Sequence, residues 1–378
     1  MKILHIITGL ENGGAENTLY KVCKYDSVNK HIIISLTKKG KYFSYFKNLG
    51  MEVHCLNLKF YSIINFFRLV KIINFIRPDI LQTWLIAGDL VGGVTGKLAG
   101  VKNIVWNIHF SNLKMGSTKI RNLIIIKILA KLSYLIPKKI IVVSKNGLKN
   151  CKKLGYCKEK LIFIPNGYEL RIFNYNKNQK YLFRKKFKIQ KKIPILGNVS
   201  RFDPIKDHNM LLEALSIIRK KKDFLCILVG LNLNKKNKVL VNKIKELNLI
   251  KNVILLGPKN NIPQIMNGLD LHILTSISEA FPNVVVEAMA CQTPCIATNV
   301  GDCSFIIGKT GWIVPPKNPI KLAKVLENAL CEIGTKKWDK RKKHSRERIK
   351  ENFDIDKMIK SLNNLWKDIL NKNVKNLI

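Results

Sequence analysis

Two carboxylates eight residues apart, Glu279 and Glu287, flank a predicted strand-to-helix junction in the segment Ser276 to Ala290 (SISEAFPNVVVEAMA). Leu271 to Thr275 is a short apolar run of the kind buried in a parallel sheet, Pro282 stops it, and Asn283 is a good N-cap for a helix carrying Glu287 and Met289. A helix start presents unpaired N–H donors and a positive dipole end. The amides near Asn283 to Val285 therefore suit a phosphate or a sugar hydroxyl without any metal. Ionised carboxylates only accept hydrogen bonds, and vicinal sugar hydroxyls are their natural partners. Glu279 ahead of the helix and Glu287 within it can grip different parts of one such ligand. Taken alone, Glu279 could equally be a loop charge and Glu287 a helix charge favoured by the dipole.

Arg201 and Lys206 follow a second predicted strand, Ile193 to Val199, and the turn between them, partly fixed by Pro204, lets both cations converge on one diphosphate. Breaking a sugar–phosphate bond puts added negative charge on the departing diphosphate. A guanidinium fork and an ammonium can carry that load in place of Mg²⁺. Either cation alone would pass for a surface charge in so basic a chain. Gly13 and Gly14, between the first strand and a helix starting near Ala15, let backbone approach a phosphate or an acceptor closely, although a plain tight turn would need the same glycines. Asp354-Ile355-Asp356 has the spacing of a metal-binding DxD, but Phe353 and Met358 around it favour a capped terminal helix. No Ser/His/Asp set offers a protein nucleophile.

Holding these groups requires strands, and the chain supplies them rhythmically. Lys2 to Ile7, His31 to Leu36, Ile80 to Thr83, Asn103 to Trp106 and Ile140 to Val143 alternate with amphipathic stretches, which is a βαβ pattern. A lysine-rich segment, 174–192, interrupts it. The rhythm then restarts at Ile193 to Val199, Leu225 to Val229, Val253 to Leu256, Leu271 to Thr275, Pro294 to Ala297 and Gly311 to Val314. The expectation is an α/β protein of two doubly wound, Rossmann-like domains, 1–173 and 193–354, joined by a linker at 174–192 and facing each other across a cleft. Ligands of open parallel sheets bind beyond the carboxyl ends of the strands, where the motifs fall.

Composition bounds the possibilities. With 378 residues and 47% apolar content, the chain can form two cores and is not disordered. Nine scattered cysteines without a CxxC pair read as free thiols in a reducing compartment. Met1 to Ile7 is too short for a signal h-region and runs into a glycine turn, so it reads as the first strand. No window reaches the roughly 18 apolar residues of a membrane span. The net charge of +42 partly follows from a lysine-rich coding bias, yet residues 1–193 hold 36 Lys+Arg against 8 Asp+Glu and residues 194–378 hold 31 against 17. A basic first lobe would suit an anionic surface. Nucleic acid is disfavoured, since no zinc-finger spacing, RNP-like motif or basic heptad is present. Lys119 to Lys139 (KIRNLIIIKILAKLSYLIPKK) reads as an interfacial amphipathic helix or, on the bland reading, as a core helix with a solvated lysine face.

The Glu279-to-Glu287 spacing, with Phe281-Pro282 between and Glu287-Ala288-Met289-Ala290 after, resembles the signature of retaining glycosyltransferase family 4. Asn198 to Lys206, Gly13-Gly14-Ala15-Glu16, Val300-Gly301-Asp302 and Gly311 to Pro316 agree with that family in order along nearly the whole chain. One position departs: Gln292 stands where the family usually has Gly. The resemblance implies a GT-B fold whose final helix, near 355–378, packs back on the first domain. By the same resemblance Glu287 would hold the ribose hydroxyls, Glu279 the donor-sugar hydroxyls, and Arg201 and Lys206 the diphosphate. The backbone from Phe281 through Pro282, Asn283 and Val284 would hold the sugar and distal phosphate, and His109, after the strand Asn103 to Trp106, would reach the donor sugar. The expected activity is transfer from a nucleotide sugar, UDP-linked, to a lipid-linked or glycan acceptor of surface polysaccharide, with no metal or other cofactor, on the inner face of a membrane. A nucleotide-sugar 2-epimerase and a non-catalytic sugar-nucleotide or lipid-binding module are the other classes compatible with these residues.

Overall fold

The computed structural model describes residues 1–11, 13–58, 63–109, 120–190, 192–279 and 281–375. The chain forms two compact units, Met1–Gly167 together with the segment from Ile355, and Tyr168–Asp354.

The first unit is built on seven parallel strands: β1 (Lys2–Ile7), β2 (Lys30–Ser35), β3 (Glu52–Cys55), β4 (Ile80–Trp84), β5 (Ile104–Ile108), β6 (Lys139–Val142) and β7 (Leu161–Phe163). Their order is β3-β2-β1-β4-β5-β6-β7. Continuous apolar runs such as Ile3, Leu4, Ile6 and Ile7, all fully buried, mark a sheet covered on both faces. The covering helices are α1 (Gly14–Tyr25), α2 (Lys41–Asn48), α3 (Ile63–Ile76), α4 (Leu85–Ala87), α5 (Gly93–Leu98), α6 (Ile120–Leu132) and α7 (Lys145–Lys153), with a π-helical turn at Gly88–Gly92. One face of the sheet (Leu4, Ile6, Leu81, Trp106) packs against Leu69, Ile73, Ile126 and Leu129, from α3 and α6. Strands β3 and β7 went unread in the sequence because each is short and carries little buried apolar surface, Val53 alone being buried in β3 and none in β7.

The second unit repeats the plan with six parallel strands: β8 (Ile195–Val199), β9 (Leu225–Val229), β10 (Val253–Gly257), β11 (Leu271–Leu274), β12 (Cys295–Thr298) and β13 (Trp312–Val314). They are ordered β10-β9-β8-β11-β12-β13. Its helices are α8 (Lys177–Lys186), α9 (His208–Ile218), α10 (Lys238–Glu246), α11 (Ile262–Gly268), α12 (Asn283–Ala290), α13 (Cys303–Ile307), α14 (Pro319–Glu332) and α15 (Lys336–Phe353). Helix α16 (Ile355–Lys375) returns to the first unit. Its residues Met358, Ile359, Leu362, Leu365, Trp366 and Ile369, at i, i+3/i+4 spacing, join Ile3, Ile7 and Ile33 in one core. Asp354 ends α15 and Asp356 lies in the first turn of α16, as the capped-helix reading of that DxD expects.

The expected linker is corrected. Segment 174–192 holds α8, which is anchored in the second unit: Asp270, 6% exposed, accepts from Lys180 Nζ (2.6 Å), Arg184 Nη2 (2.7 Å) and the Ile195 amide (2.8 Å). Sparse apolar periodicity concealed a helix held by charge. Phe183, its single buried side chain, completes the contact. The charge asymmetry changes with this boundary. The first unit carries 32 Lys+Arg against 9 Asp+Glu and the second 35 against 16, net +23 and +19, so the excess is nearly even. Among the described residues no helix is long and apolar enough to cross a membrane.

Candidate active site

In the second sheet the strand order reverses between β8 and β11, and a crevice opens beyond the carboxyl ends of such neighbours. The loops that follow these two strands are stitched together. The Ile277 amide donates to Ile205 O (2.8 Å) and Thr275 Oγ1 to Lys206 O (2.8 Å). Thr298 Oγ1, from β12, donates to Ser276 O (2.5 Å). Asp203 caps the short 3-10 turn Pro204–Lys206 by accepting from the Ile205 amide (2.9 Å), with proline at the first turn position where no N–H is needed. Asp207 sits in the left-handed region (φ +45) and caps α9. Gly230 (φ +147) lies against this loop, and a Cβ there would come 1.8 Å from Ser200 O, so only glycine fits.

This scaffold brings Lys206 and Glu279 together: Nζ to Oε1 is 2.5 Å, with both side chains mostly buried. Ser276 Oγ donates to the same Glu279 oxygen (2.6 Å), fixing the carboxylate from a second direction. Arg201 does not join them. Its Nε pairs with Asp203 Oδ2 (2.9 Å) and its side chain is 62% exposed. The two cations make separate ion pairs here, Lys206 with Glu279 and Arg201 with Asp203. The Asp203 carboxyl lies below the usual range, first through the Ile205 amide, then through Arg201 and Lys206.

Helix α12 starts at Asn283 and its N-cap is Pro282, which makes no side-chain capping bond. The expected N-cap role of Asn283 is thereby corrected: its Oδ1 accepts from the buried Tyr168 hydroxyl (2.5 Å) instead. Phe281 is a packing residue. It is 8% exposed, stacks on Tyr168 and meets Phe353 edge-on, so only its backbone is left for a ligand. Val284 is half-buried against the same core. Glu287 is half-buried in α12, and the Tyr168 phenol is pushed well above its ordinary value, by burial first and by the Glu287 charge second. Gln292, where glycine is usual, takes the left-handed conformation (φ +59) at the end of α12. Gln292 N donates to Met289 O (3.0 Å) and Thr293 N to Ala288 O (2.9 Å), which is a Schellman C-cap.

In the first unit, Gly13 is the N-cap of α1, and a Cβ there would meet the Glu16 carboxylate at 2.2 Å, whereas Gly14 has open space around it. His109 follows β5. Burial lowers its imidazole to about 4, its ring lies 5.5 Å from that of Trp84, and its Nε2 has no hydrogen-bond partner among the described residues. Ser276, Asp203 and Tyr168 were missed in the sequence. An Asp-Pro pair after a strand was a readable signal for Asp203, while the other two act through contacts that no local pattern encodes.

Two doubly wound parallel units of this topology define the GT-B fold class. A crystal structure of Anabaena HepE in complex with UDP superposes with a TM-score of 0.86 over 97% of this chain and 100% of that one, at 21% identity. Residues 12–171 match Glycosyltransferase Family 4 and residues 179–352 match Glycosyl transferases group 1, and the chain belongs to this family-4-like group. It is 26% identical over 322 residues (82% of this chain, 79% of the relative) to the UDP-Gal:alpha-D-GlcNAc-diphosphoundecaprenol alpha-1,3-galactosyltransferase of Escherichia coli. It is also 27% identical over 199 residues (52% of this chain, 51% of the relative) to the N-acetyl-alpha-D-glucosaminyl L-malate synthase of Bacillus anthracis.

Proposed function

We propose that this glycosyltransferase moves a sugar from a UDP-sugar to a lipid-linked acceptor of surface polysaccharide, with retention of anomeric configuration and without a metal. The observation that carries this reading is the Lys206–Glu279 pair at the switch point between β8 and β11, with the N-terminus of α12 following Glu279 in the chain. Lys206 and Arg201 stabilise the departing diphosphate, Glu279 and Glu287 accept from donor-sugar and ribose hydroxyls, and His109 meets the donor sugar. The backbone of Phe281 to Val284 and of Gly13-Gly14 supplies amides. The leaving phosphate takes the acceptor's proton in a front-face substitution, so no protein nucleophile is needed. The name of the E. coli relative supports a lipid-diphosphate acceptor, whereas the malate synthase shows that a soluble acid is the alternative to test.

The deciding experiment offers UDP-sugars with undecaprenyl-diphosphate sugars or malate, and reads product anomer by NMR. An α-linked lipid product from an α-linked donor, formed equally in EDTA, is expected. An inverted product, or EDTA inactivation restored by Mg²⁺ or Mn²⁺, overturns the mechanism. Interconversion of the donor sugar with no acceptor present would favour the epimerase reading.

Support for a membrane acceptor comes from two helices of the first unit. In α6 the exposed Ile124 and Ile128 alternate with exposed Lys127 and Lys131, and in α3 Ile64, Phe67 and Phe75 stand out beside Arg68 and Lys71. Lys119, the start of the stretch read as interfacial, lies outside the described residues. Each lysine near an anionic bilayer contributes about 1 kcal/mol. Replacing Lys127 and Lys131 by Glu should lower sedimentation with anionic vesicles more than the same change at Lys220 and Lys221. Equal losses would reduce the effect to general charge, which the near-even net charges of the units make a real alternative.

A further inference from the structure

A line of polar side chains runs through the core of the first unit between β1, β2 and β4. Trp84 Nε1 lies 3.2 Å from His5 Nδ1, His5 Nε2 lies 2.9 Å from His31 Nδ1, and His31 Nε2 lies 3.1 Å from Asp26 Oδ2. Trp84 and His5 are fully buried, and His31 and Asp26 nearly so. Chemistry fixes the direction of every proton. An indole N–H only donates, so His5 Nδ1 accepts; neutral His5 then carries its proton on Nε2 and donates to His31 Nδ1; His31 in turn donates from Nε2 to Asp26. Asp26 anchors the line. Burial works to raise its carboxyl, but hydrogen bonds from His31, Asn29 and the Val28 amide overcome that and hold it well below the usual range.

The same residues invite a metal reading, since His5, Cys23 and His31 place ligand atoms within 4.8 Å of one another. The proton directions reject it. A cation on His5 Nε2 would force the remaining proton onto Nδ1, against the indole N–H of Trp84, leaving two donors face to face in the core.

The far end of the line is what gives it a role. Trp84 closes β4 and is followed by Leu85 in the left-handed region (φ +69), a conformation that a bulky residue keeps only where its surroundings dictate it. The indole packs against His109 with ring centroids 5.5 Å apart and planes tilted by 32°. We infer that His5 and Trp84 are positioning residues for His109: the His5 Nδ1 acceptor, whose tautomer His31 and Asp26 fix, sets the indole, and the indole sets the imidazole at the carboxyl end of β5. His109 stays neutral and keeps Nε2 without a partner among the described residues, the state in which a ring nitrogen can exchange a hydrogen bond with a sugar hydroxyl.

Two substitutions at one position separate positioning from simple core stability. His5→Asn retains an acceptor near the Nδ1 position for Trp84 and cannot reach His31, whereas His5→Gln retains a donor near the Nε2 position for His31 and leaves Trp84 without an acceptor. Trp84→Phe removes the donor altogether. In protein labelled with ¹⁵N-histidine, which has seven histidines, the His109 imidazole resonances should move in His5→Gln and Trp84→Phe and stay in place in His5→Asn. Both His5 variants should lose comparable thermal stability. Equal movement in the two His5 variants, or none in His5→Gln and Trp84→Phe, overturns the positioning role. The kinetic arm rests on the proposed contact of His109 with the donor sugar: KM for the UDP-sugar should rise about tenfold, ~1.4 kcal/mol, in His5→Gln with little change in kcat. Moved resonances with an unchanged KM would keep the positioning role and remove that contact from the proposed function.

Discussion

The two units share a strand order on either side of the switch point and place their polarity differently. In Tyr168–Asp354 the charges gather beyond the strand ends, where Lys206 meets Glu279 and Arg201 meets Asp203. In the first unit the polar line lies inside the core and is neutral except at Asp26, while the start of α1 after β1 presents the backbone of Gly13 and Gly14. One plan therefore serves two tasks. A unit that must hold a diphosphate places cations at loops stitched by backbone bonds, and a unit that must orient uncharged groups runs a directed line of hydrogen bonds through its interior, where breaking one is costly.

The contrast breaks most readily at the charged site. Lys206→Ala and Glu279→Gln should each lower kcat/KM by about a hundredfold or more, ~3 kcal/mol, with thermal unfolding within a few degrees of wild type. Near-normal kcat/KM in both would remove the site from the second unit. A loss of stability rather than activity is expected when a charge that builds the unit is removed. Asp270→Asn should cost about 3 kcal/mol in denaturant unfolding, because it strands Lys180 and Arg184 beside a lost anchor. A cost under 1 kcal/mol would return segment 174–192 to a loose connector.

Acid sharpens the comparison next. Burial lowers His272 to about 3 and His208 and His109 to about 4, from 6.5. A base whose folded value is depressed stabilises the protein above its unfolded value and loses that contribution as pH falls toward the folded one. The melting temperature should thus decline between pH 6.5 and about 4, and His272→Gln, which cannot titrate, should flatten part of the decline. A flat profile over that window would show the imidazoles to be solvated. The smallest effect is a gain: Gln292→Gly should raise stability by about 1 kcal/mol, since the left-handed C-cap of α12 strains any side chain. No gain would mean that the Gln292 side chain offsets its backbone strain.

The strand rhythm and the double winding were legible in the sequence because buried parallel strands leave periodic traces, as in Lys2 to Ile7, whereas the return of the last helix, with its stripe from Met358 to Ile369, was expected only from the family resemblance. Helix α8 was not, because Lys180 and Arg184 are held by Asp270, some 90 residues away, rather than by an apolar stripe. At the site, Lys206 and Glu279 were read with their mutual neighbourhood unseen, and the Arg201–Asp203 pair was not anticipated because chain spacing does not reveal side-chain partners. The His5 to Asp26 line left no trace. A histidine inside an apolar strand looks the same whether it is idle or part of a chain of protons.

The return of α16 to the first unit also orders events during synthesis. Residues 168–354 form one uninterrupted stretch and can close their core as soon as they have left the ribosome, whereas the first unit waits for Met358, Leu362 and Trp366, which are made after that stretch. The segment translated first is thus expected to finish folding second. Pulse-labelled hydrogen exchange on a chain stopped at Asp354 should find β8 to β13 protected and the face of β1 that receives Trp366 still open; full protection of β1 in that chain would reverse the order.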